Sequence, residues 1–301
     1  ISGNEHLIEM NEICHVVKES DDQGGAELYG NPTYRGVRFL HNFWHHIGRQ
    51  PGETITAEVG RAAIRLDDAI SGVVIHGNVF LHCGAGTKNM FGSVQIHGGK
   101  DNEVDANIIA LAPAALSFSP WSESRWREHI AGVLEKPDID RDLYLRRYPA
   151  LASLADDPNR NWILRNYIWR CDMLGWRAPG ANHWIANLVS SLDASPFAAP
   201  SHGDFRLSPA QRAPGSLGPD PIPFEFMGLR PDPFRPVVPE QLICQLRNPA
   251  SDHPAGFDTR PPHFRVLTAL AGDTSARHHD FERGWPYWHV RKDSFEGVLH
   301  P

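Results

Sequence analysis

Two pairs of adjacent aspartates, Asp21-Asp22 and Asp67-Asp68, are the side chains of this sequence best suited to acid–base chemistry. Hydrolysis of a glycosidic bond typically needs two carboxyl groups, about 5–5.5 Å apart or about 6.5–9.5 Å apart. We predict that the pairs lie at corresponding points of neighbouring repeats, with Asp21, Asp22 and Asp67 as catalytic candidates. Any single aspartate could instead cap a turn. The presence of two aspartate pairs beside a row of polar side chains favours the catalytic interpretation.

Four short segments, 26–29, 64–67, 94–97 and 116–119, supply that polar row. Each alternates apolar and polar residues, as a half-buried strand does. If the strands lie parallel and in register, their outward side chains form two rows: Glu27, Arg65, Gln95 and Ser117, and Tyr29, Asp67, His97 and Ser119.

Substrate-binding candidates are the outward residues near the acids, namely Tyr29, Glu27, Arg65, Asp68, Gln95 and His97. Tyr29 and His97 would flank Asp67, where they could shift its pKa and position a sugar hydroxyl. Arg65 beside Glu27 could hold a carboxylated sugar, although an ordinary surface ion pair is the simpler interpretation.

A repeated asparagine organises the elements that would position these residues. The pattern apolar-x-x-Asn-x-apolar recurs at intervals of 31, 36, 29, 59 and 21 residues, at Asn11, Asn42, Asn78, Asn107, Asn166 and Asn187. Asparagine tolerates the left-handed conformation of a tight bend and can bond to its neighbours from coil to coil. We therefore predict an all-β solenoid, a right-handed parallel β-helix, with Ile64, Val94 and Leu116 stacked inside.

The spacing of the repeats divides the chain. We predict β-helix coils over residues 1–120, a helical or irregular insertion over 121–160 that rejoins the stack near Asn161, and last coils over 161–194. A Pro-rich segment, 195–301, would wrap one end or flank. Ile1 reads as the interior of a coil, so earlier coils are expected from the rest of a longer chain or from another subunit.

Composition narrows the class of protein. Of 301 residues, 41% are hydrophobic and 22% charged, which is typical of a globular chain, and the net charge of -7 argues against nucleic acid as a partner. No apolar run approaches the ~20 residues that span a bilayer. The four cysteines lack CxxC spacing, so we expect buried free thiols, as at Cys83 and Cys171, rather than a metal site.

The runs 20–25, 41–48, 63–68, 71–80 and 97–102 resemble bacterial right-handed β-helix proteins, and the nearest group is similar to glycoside hydrolase family 141. The segment 221–229 resembles the stretch that follows the helix in such proteins. The resemblance covers residues 1–120 well, 160–240 moderately, and little of the rest. It implies a secreted or periplasmic enzyme acting on a plant or microbial polysaccharide or oligosaccharide, with acidic positions matching Asp21 or Asp22, and Asp67.

Two other functions fit the same residues. Ca²⁺ on Asp21, Asp22, Asp67 and Asp68, with Lys18, Lys100 or Arg65 as base, would make a polysaccharide lyase. A non-catalytic carbohydrate-binding solenoid would need the strands but not the paired acids. No metal is expected at His41, His45 and His46, because a strand and bend would splay them. Trp121 and Trp126 could stack on sugar rings, whereas Trp44 is expected in the core.

Overall fold

The computed structural model describes residues 1–48, 54, 58–191, 193–200, 204–208, 222–229, 231, 233–234 and 236–237, and the backbone of three further strands near the end of the chain. The structure is mostly β, and its two main sheets are built of parallel strands. Much of the segment predicted to wrap the solenoid, 195–301, lies outside the described residues. Among the described residues, no helix has the length and apolarity needed to cross a bilayer.

The larger sheet contains two rows of short strands. The first row is β1 (Leu7–Glu9), β4 (Arg38–Leu40), β7 (Val74–His76), β10 (Glu103–Asp105) and β13 (Trp162–Leu164); the second is β2 (Glu12–Cys14), β5 (Phe43–Ile47), β8 (Val79–Cys83), β11 (Ile108–Ala110) and β14 (Tyr167–Trp169). The longer β16 (His183–Ser190) pairs with both β13 and β14 and so joins the rows. Its outer edge pairs antiparallel with β19 (Arg265–Thr268).

The second sheet carries the polar rows. Its parallel strands are β3 (Gln23–Tyr29), β6 (Arg61–Asp67), β9 (Val94–His97), β12 (Ala114–Ser119) and β15 (Met173–Ala178), followed by antiparallel β21 (Trp285–Arg291) and β20 (Arg277–Asp280). The predicted register is confirmed, since Ile64 pairs with Ala26 and Val94, and Val94 pairs with Leu116. Alternation sends these apolar residues inward, and Ile64, Val94 and Leu116 are fully buried.

The predicted asparagine ladder is confirmed at the bend between the two rows of the larger sheet. Each side-chain oxygen accepts from the backbone and side-chain nitrogens of the preceding asparagine; Asn78 Oδ1, for example, lies 2.9 Å and 3.0 Å from Asn42 N and Nδ2. The left-handed residue is the one before each asparagine, such as His41 with φ 53°. The ladder residues are therefore there to satisfy buried backbone groups, not to adopt the strained conformation.

A second asparagine ladder, at the bend after the second sheet, was not predicted. Asn102 N and Nδ2 donate to Asn161 Oδ1, and Asn161 donates in the same way to Asn182. Asn102 and Asn161 are at most 1% exposed. These three residues do not follow the apolar-x-x-Asn-x-apolar pattern, so a search for that pattern passes over them.

The insertion contains helices, as predicted, and the chain rejoins the sheet at β13. Its elements are α1 (Glu123–Ile130), α2 (Arg141–Arg147) and 3₁₀ turns at Val133–Glu135 and Pro149–Ser153. The insertion is not separate from the coils: Lys100 Nζ, fully buried, donates to the Ser153 and Asp156 carbonyls at 2.8 Å and 2.5 Å. Trp126 is fully buried and its indole N–H donates to Leu154 O, so it is not a sugar platform.

The described part of the C-terminal segment covers one outer face of the larger sheet. The hairpin of β17 (Phe197–Ala199) and β18 (Asp204–Leu207) packs, together with Met227, against outward residues of the second row such as Phe43 and Val79. Cys83 and Cys171 are buried free thiols, as expected, and Trp44 is in the core. Cys14 is disulfide-bonded, so the expectation of free thiols is wrong there.

Candidate functional site

Arg65, an outward residue of β6, is the centre of the acidic site. Its Nη2 lies 2.9 Å from Asp67 Oδ1 and 2.9 Å from Asp22 Oδ1, and its Nη1 lies 3.6 Å from Glu27 Oε1. Nη1 also donates to the backbone carbonyl of Asp22. One guanidinium thus gathers three carboxylates, and the Asp22 and Asp67 oxygens can be no further apart than twice 2.9 Å.

His97 completes the contacts of Asp67. Its Nδ1 lies 2.8 Å from Asp67 Oδ1 and 3.2 Å from Asp68 Oδ1, which follows from the predicted neighbouring positions on β6 and β9. Asp67 has 8% of its side chain exposed and His97 22%, so the imidazole is the more exposed member of the pair. Tyr29 pairs with Asp67 in the predicted register, but it is 64% exposed and points into solvent.

Glu27 and Asp67 have pKa values displaced in opposite directions. Burial raises the pKa of Glu27, and this outweighs a hydrogen bond from the Gly24 amide and the charge of Arg65. Burial also raises the pKa of Asp67, but the hydrogen bond from His97, the charges of Arg65 and His97 and the hydrogen bond from the Asp68 amide together outweigh it, and its pKa is lowered. Carboxyl groups whose environments separate their pKa values are suited to opposite acid–base roles.

The two aspartate pairs do not lie at corresponding points of the coils, so that prediction is wrong. Asp21 and Asp22 precede β3, whose first residue pairs with Arg61, whereas Asp67 ends β6. Asp22 reaches the site only because the long Arg65 side chain bridges toward it. Asp21 pairs with Arg61 instead, at 2.9 Å, and the structure brings it into no contact with Arg65 among the described residues.

Gln95 and Ser117 stand in the predicted outward row but are buried. Gln95 Nε2 donates to Ser119 Oγ at 3.0 Å, and Ser117 Oγ accepts from Gly92 N at 2.8 Å. Gln95, predicted to bind substrate, is 1% exposed, so almost none of its side chain is accessible.

Three residues of the insertion border the site. Arg125 and His129 were not predicted there, and the expectation that Trp121 stacks on a sugar ring is wrong because that ring is buried. Trp121 is 3% exposed and packs edge-to-face against His97 at 5.7 Å and His129 at 4.9 Å. The Arg125 guanidinium lies 3.8 Å from the centre of the Trp121 ring and 3.5 Å from Asp68. The sequence did contain a signal for this contact, because the insertion begins directly after β12, at the same end of the sheet as His97.

Among the described residues, two groups of side chains could hold a metal ion. Ligand atoms of Asp67, Asp68 and His97 lie within 4.8 Å of one another, as do those of Cys14, His15 and His45. The four aspartates predicted to bind Ca²⁺ are not gathered together, because Asp21 is paired with Arg61. The prediction that the histidines splay is wrong for His45 and His46, whose Nδ1 atoms are 3.1 Å apart.

Comparisons with protein-family models, with curated proteins and with solved structures find no match to this chain. Lys100 was predicted as a base, but its ammonium is hydrogen-bonded to carbonyls of the insertion and not to the acidic site. The side chains of the second sheet that could carry out a reaction at the acidic site are therefore Glu27, Asp67, Arg65 and His97.

Proposed function

We propose that this chain is a glycoside hydrolase whose coils form a right-handed parallel β-helix. In support, strands of successive coils pair in parallel in both sheets, and asparagine ladders run along two bends. Each coil then adds one strand to each row, and a right-handed path is the general rule for parallel connections. The outward side of the second sheet would carry the substrate.

The observation that supports the reaction best is the opposite displacement of the two carboxyl pKa values. Glu27, with its raised pKa, is suited to keep a proton and donate it to the leaving glycosidic oxygen. Asp67, with its lowered pKa, stays ionised and acts as the base or nucleophile at the anomeric carbon. Arg65 contacts both carboxyl groups, His97 positions Asp67 by a direct contact, and Trp121 packs on His97.

The substrate is proposed to be a plant or microbial polysaccharide or oligosaccharide, and the protein to be secreted or periplasmic. The resemblance to glycoside hydrolase family 141 supports both. The disulfide at Cys14 also favours an oxidising compartment.

Leaving-group dependence tests the two roles separately. We expect Glu27→Gln to lose turnover on a glycan by ~10²–10⁴-fold and to keep most of it on an aryl glycoside whose activated leaving group needs no proton. Asp67→Asn should be inactive on both substrates. Asp21→Asn, which changes an acid paired with Arg61 outside the group around Arg65, is the control and should remain active. If the Glu27→Gln and Asp67→Asn variants both cleave the glycan at a near-normal rate, the assignment of Glu27 as acid and Asp67 as base or nucleophile is refuted.

One observation favours a second candidate, a Ca²⁺-dependent polysaccharide lyase. Asp67, Asp68 and His97 offer ligand atoms within 4.8 Å of one another, and hard cations take clustered carboxylates. A lyase would lose activity to a chelator and release an unsaturated product that absorbs in the ultraviolet. A non-catalytic carbohydrate-binding protein would bind glycan equally well after Asp67→Asn and release no product.

A further inference from the structure

The imidazole of His97 contacts two carboxylates that follow one another in the chain. Its Nδ1 lies 2.8 Å from Asp67 Oδ1 and 3.2 Å from Asp68 Oδ1. Because a carboxylate only accepts hydrogen bonds, Nδ1 carries the proton. That N–H is bonded to Asp67, and the Asp68 oxygen is close enough to accept the same N–H after a small shift. His97 therefore has a second acceptor beside the one it uses.

The turn that carries Asp68 has an uncommon backbone conformation. Asp68 and Ala69 have φ of 41° and 71°, in the left-handed region, which aspartate tolerates better than alanine. The Ala69 N–H donates to the His97 carbonyl at 2.9 Å, and Ser71 Oγ donates to the Ala69 carbonyl at 2.8 Å. The turn thus contacts both the backbone and the side chain of His97. Conformations of this kind are concentrated at functional sites.

The insertion also contacts Asp68. Arg125 Nη2 lies 3.5 Å from Asp68 Oδ1, the oxygen that faces His97. The Arg125 guanidinium lies 3.8 Å from the centre of the Trp121 ring, and that ring packs edge-to-face against His97 at 5.7 Å. The Asp68 side chain is 24% exposed, so it is neither a core residue nor a freely solvated one. Its carboxylate is therefore held beside His97 from the turn and from the insertion.

We propose that Asp68 is a positioning residue of the glycosidase reaction, which accepts the His97 N–H as Asp67 gives up its negative charge. The inference rests on the proposed function, in which the leaving glycosidic oxygen takes the proton of Glu27, and Asp67 takes a proton from water or a bond to the anomeric carbon. Either step consumes the charge of Asp67, so its hydrogen bond from His97 weakens. Asp68 keeps its charge and accepts that hydrogen bond, while the proton stays on His97 Nδ1. The hydrogen bond to Asp68 forms as the charge is lost, so it stabilises the transition state more than the ground state.

Kinetics of matched variants test this role. Asparagine and glycine both tolerate a left-handed φ, so Asp68→Asn and Asp68→Gly remove the charge without straining the backbone, and their urea midpoints should stay close to that of wild type. We expect kcat on the glycan to fall ~10–100-fold in both variants with KM unchanged, because the lost hydrogen bond forms only in the transition state. Ala69→Gly is the control: it changes the other left-handed residue of the turn, leaves the carboxylate in place, and should keep a near-normal kcat.

A crystal structure of the Asp67→Asn variant tests the inference without turnover. The substitution removes the charge of residue 67 and keeps its shape, so the distance from His97 Nδ1 to Asp68 Oδ1 should fall below 3.2 Å. An unchanged distance, a near-normal kcat in Asp68→Asn, or a raised KM at unchanged kcat would each overturn the positioning role and leave the proposed function intact. A wild type that cleaves no glycan, or an active Asp67→Asn, would overturn the proposed function and this inference with it.

Discussion

Replacing Asn78 by alanine should show how strongly the asparagine ladder stabilises the stack. Asn78 is fully buried, and its Oδ1 accepts from Asn42 N at 2.9 Å and Asn42 Nδ2 at 3.0 Å. Its Nδ2 donates to Phe39 O at 2.9 Å and Asn107 Oδ1 at 3.0 Å. The substitution removes these four bonds, together with longer contacts to Trp44 Nε1 at 3.5 Å and His76 O at 3.1 Å, and leaves the buried Asn42 N–H without its acceptor.

The expected loss follows from these contacts. An unsatisfied buried donor costs ~1–3 kcal/mol, and each net hydrogen bond contributes ~0.5–1.5 kcal/mol. Asn42 Nδ2 keeps a bond to Ile8 O, which limits the damage. We therefore expect Asn78→Ala to lower the free energy of unfolding by ~3 kcal/mol.

Urea unfolding followed by circular dichroism measures this loss, as a lower midpoint at unchanged slope. Asn11→Ala is the matched control, because Asn11 is the exposed end of the same ladder and, among the described residues, its side chain bonds only Asn42 Oδ1 and Glu9 O. We expect that change to cost less than ~1 kcal/mol. Equal losses for the two variants would refute the view that buried backbone satisfaction is the role of the ladder.

Three further predictions concern the acidic site and the insertion. Activity on glycan should fall on the alkaline side as Glu27 loses its proton, at a pH above the ordinary glutamate value, and Glu27→Gln should abolish that limb of the pH–rate profile. Because folding lowers the pKa of Asp67, its carboxylate contributes its full stability above the unfolded pKa of ~3.9, and this contribution is lost as the pH falls through the lower folded pKa. The difference in unfolding free energy between wild type and Asp67→Asn, measured by urea unfolding, should therefore narrow at acid pH. A difference that widens at acid pH would contradict the lowered pKa. Trp126→Ala should destabilise the insertion by ~3–5 kcal/mol and speed its cleavage in limited proteolysis, whereas Leu143→Ala, at a residue 51% exposed, should not; equal cleavage rates would show that Trp126 does not hold the insertion.

The sequence by itself determined the strand faces and their register. Alternation of apolar and polar residues fixes which side of a strand is buried, so Ile64, Val94 and Leu116 could be assigned to one inner stack. The recurring asparagines identified the bend between the two rows of the larger sheet. Both are local patterns, which is why the parallel pairing of Glu27 with Arg65 could be predicted before the structure was known.

Only the tertiary structure decided which functional groups meet. Asp22 joins Asp67 through the reach of Arg65, and Trp121 arrives from an insertion whose path depends on the buried Lys100 and Trp126. His45 and His46 converge because a left-handed residue turns the second imidazole toward the first. Long side chains, bends and docked insertions bring together residues that are far apart in sequence, which no local pattern encodes. The sequence therefore located the acidic site but not the side chains that contact it from the insertion.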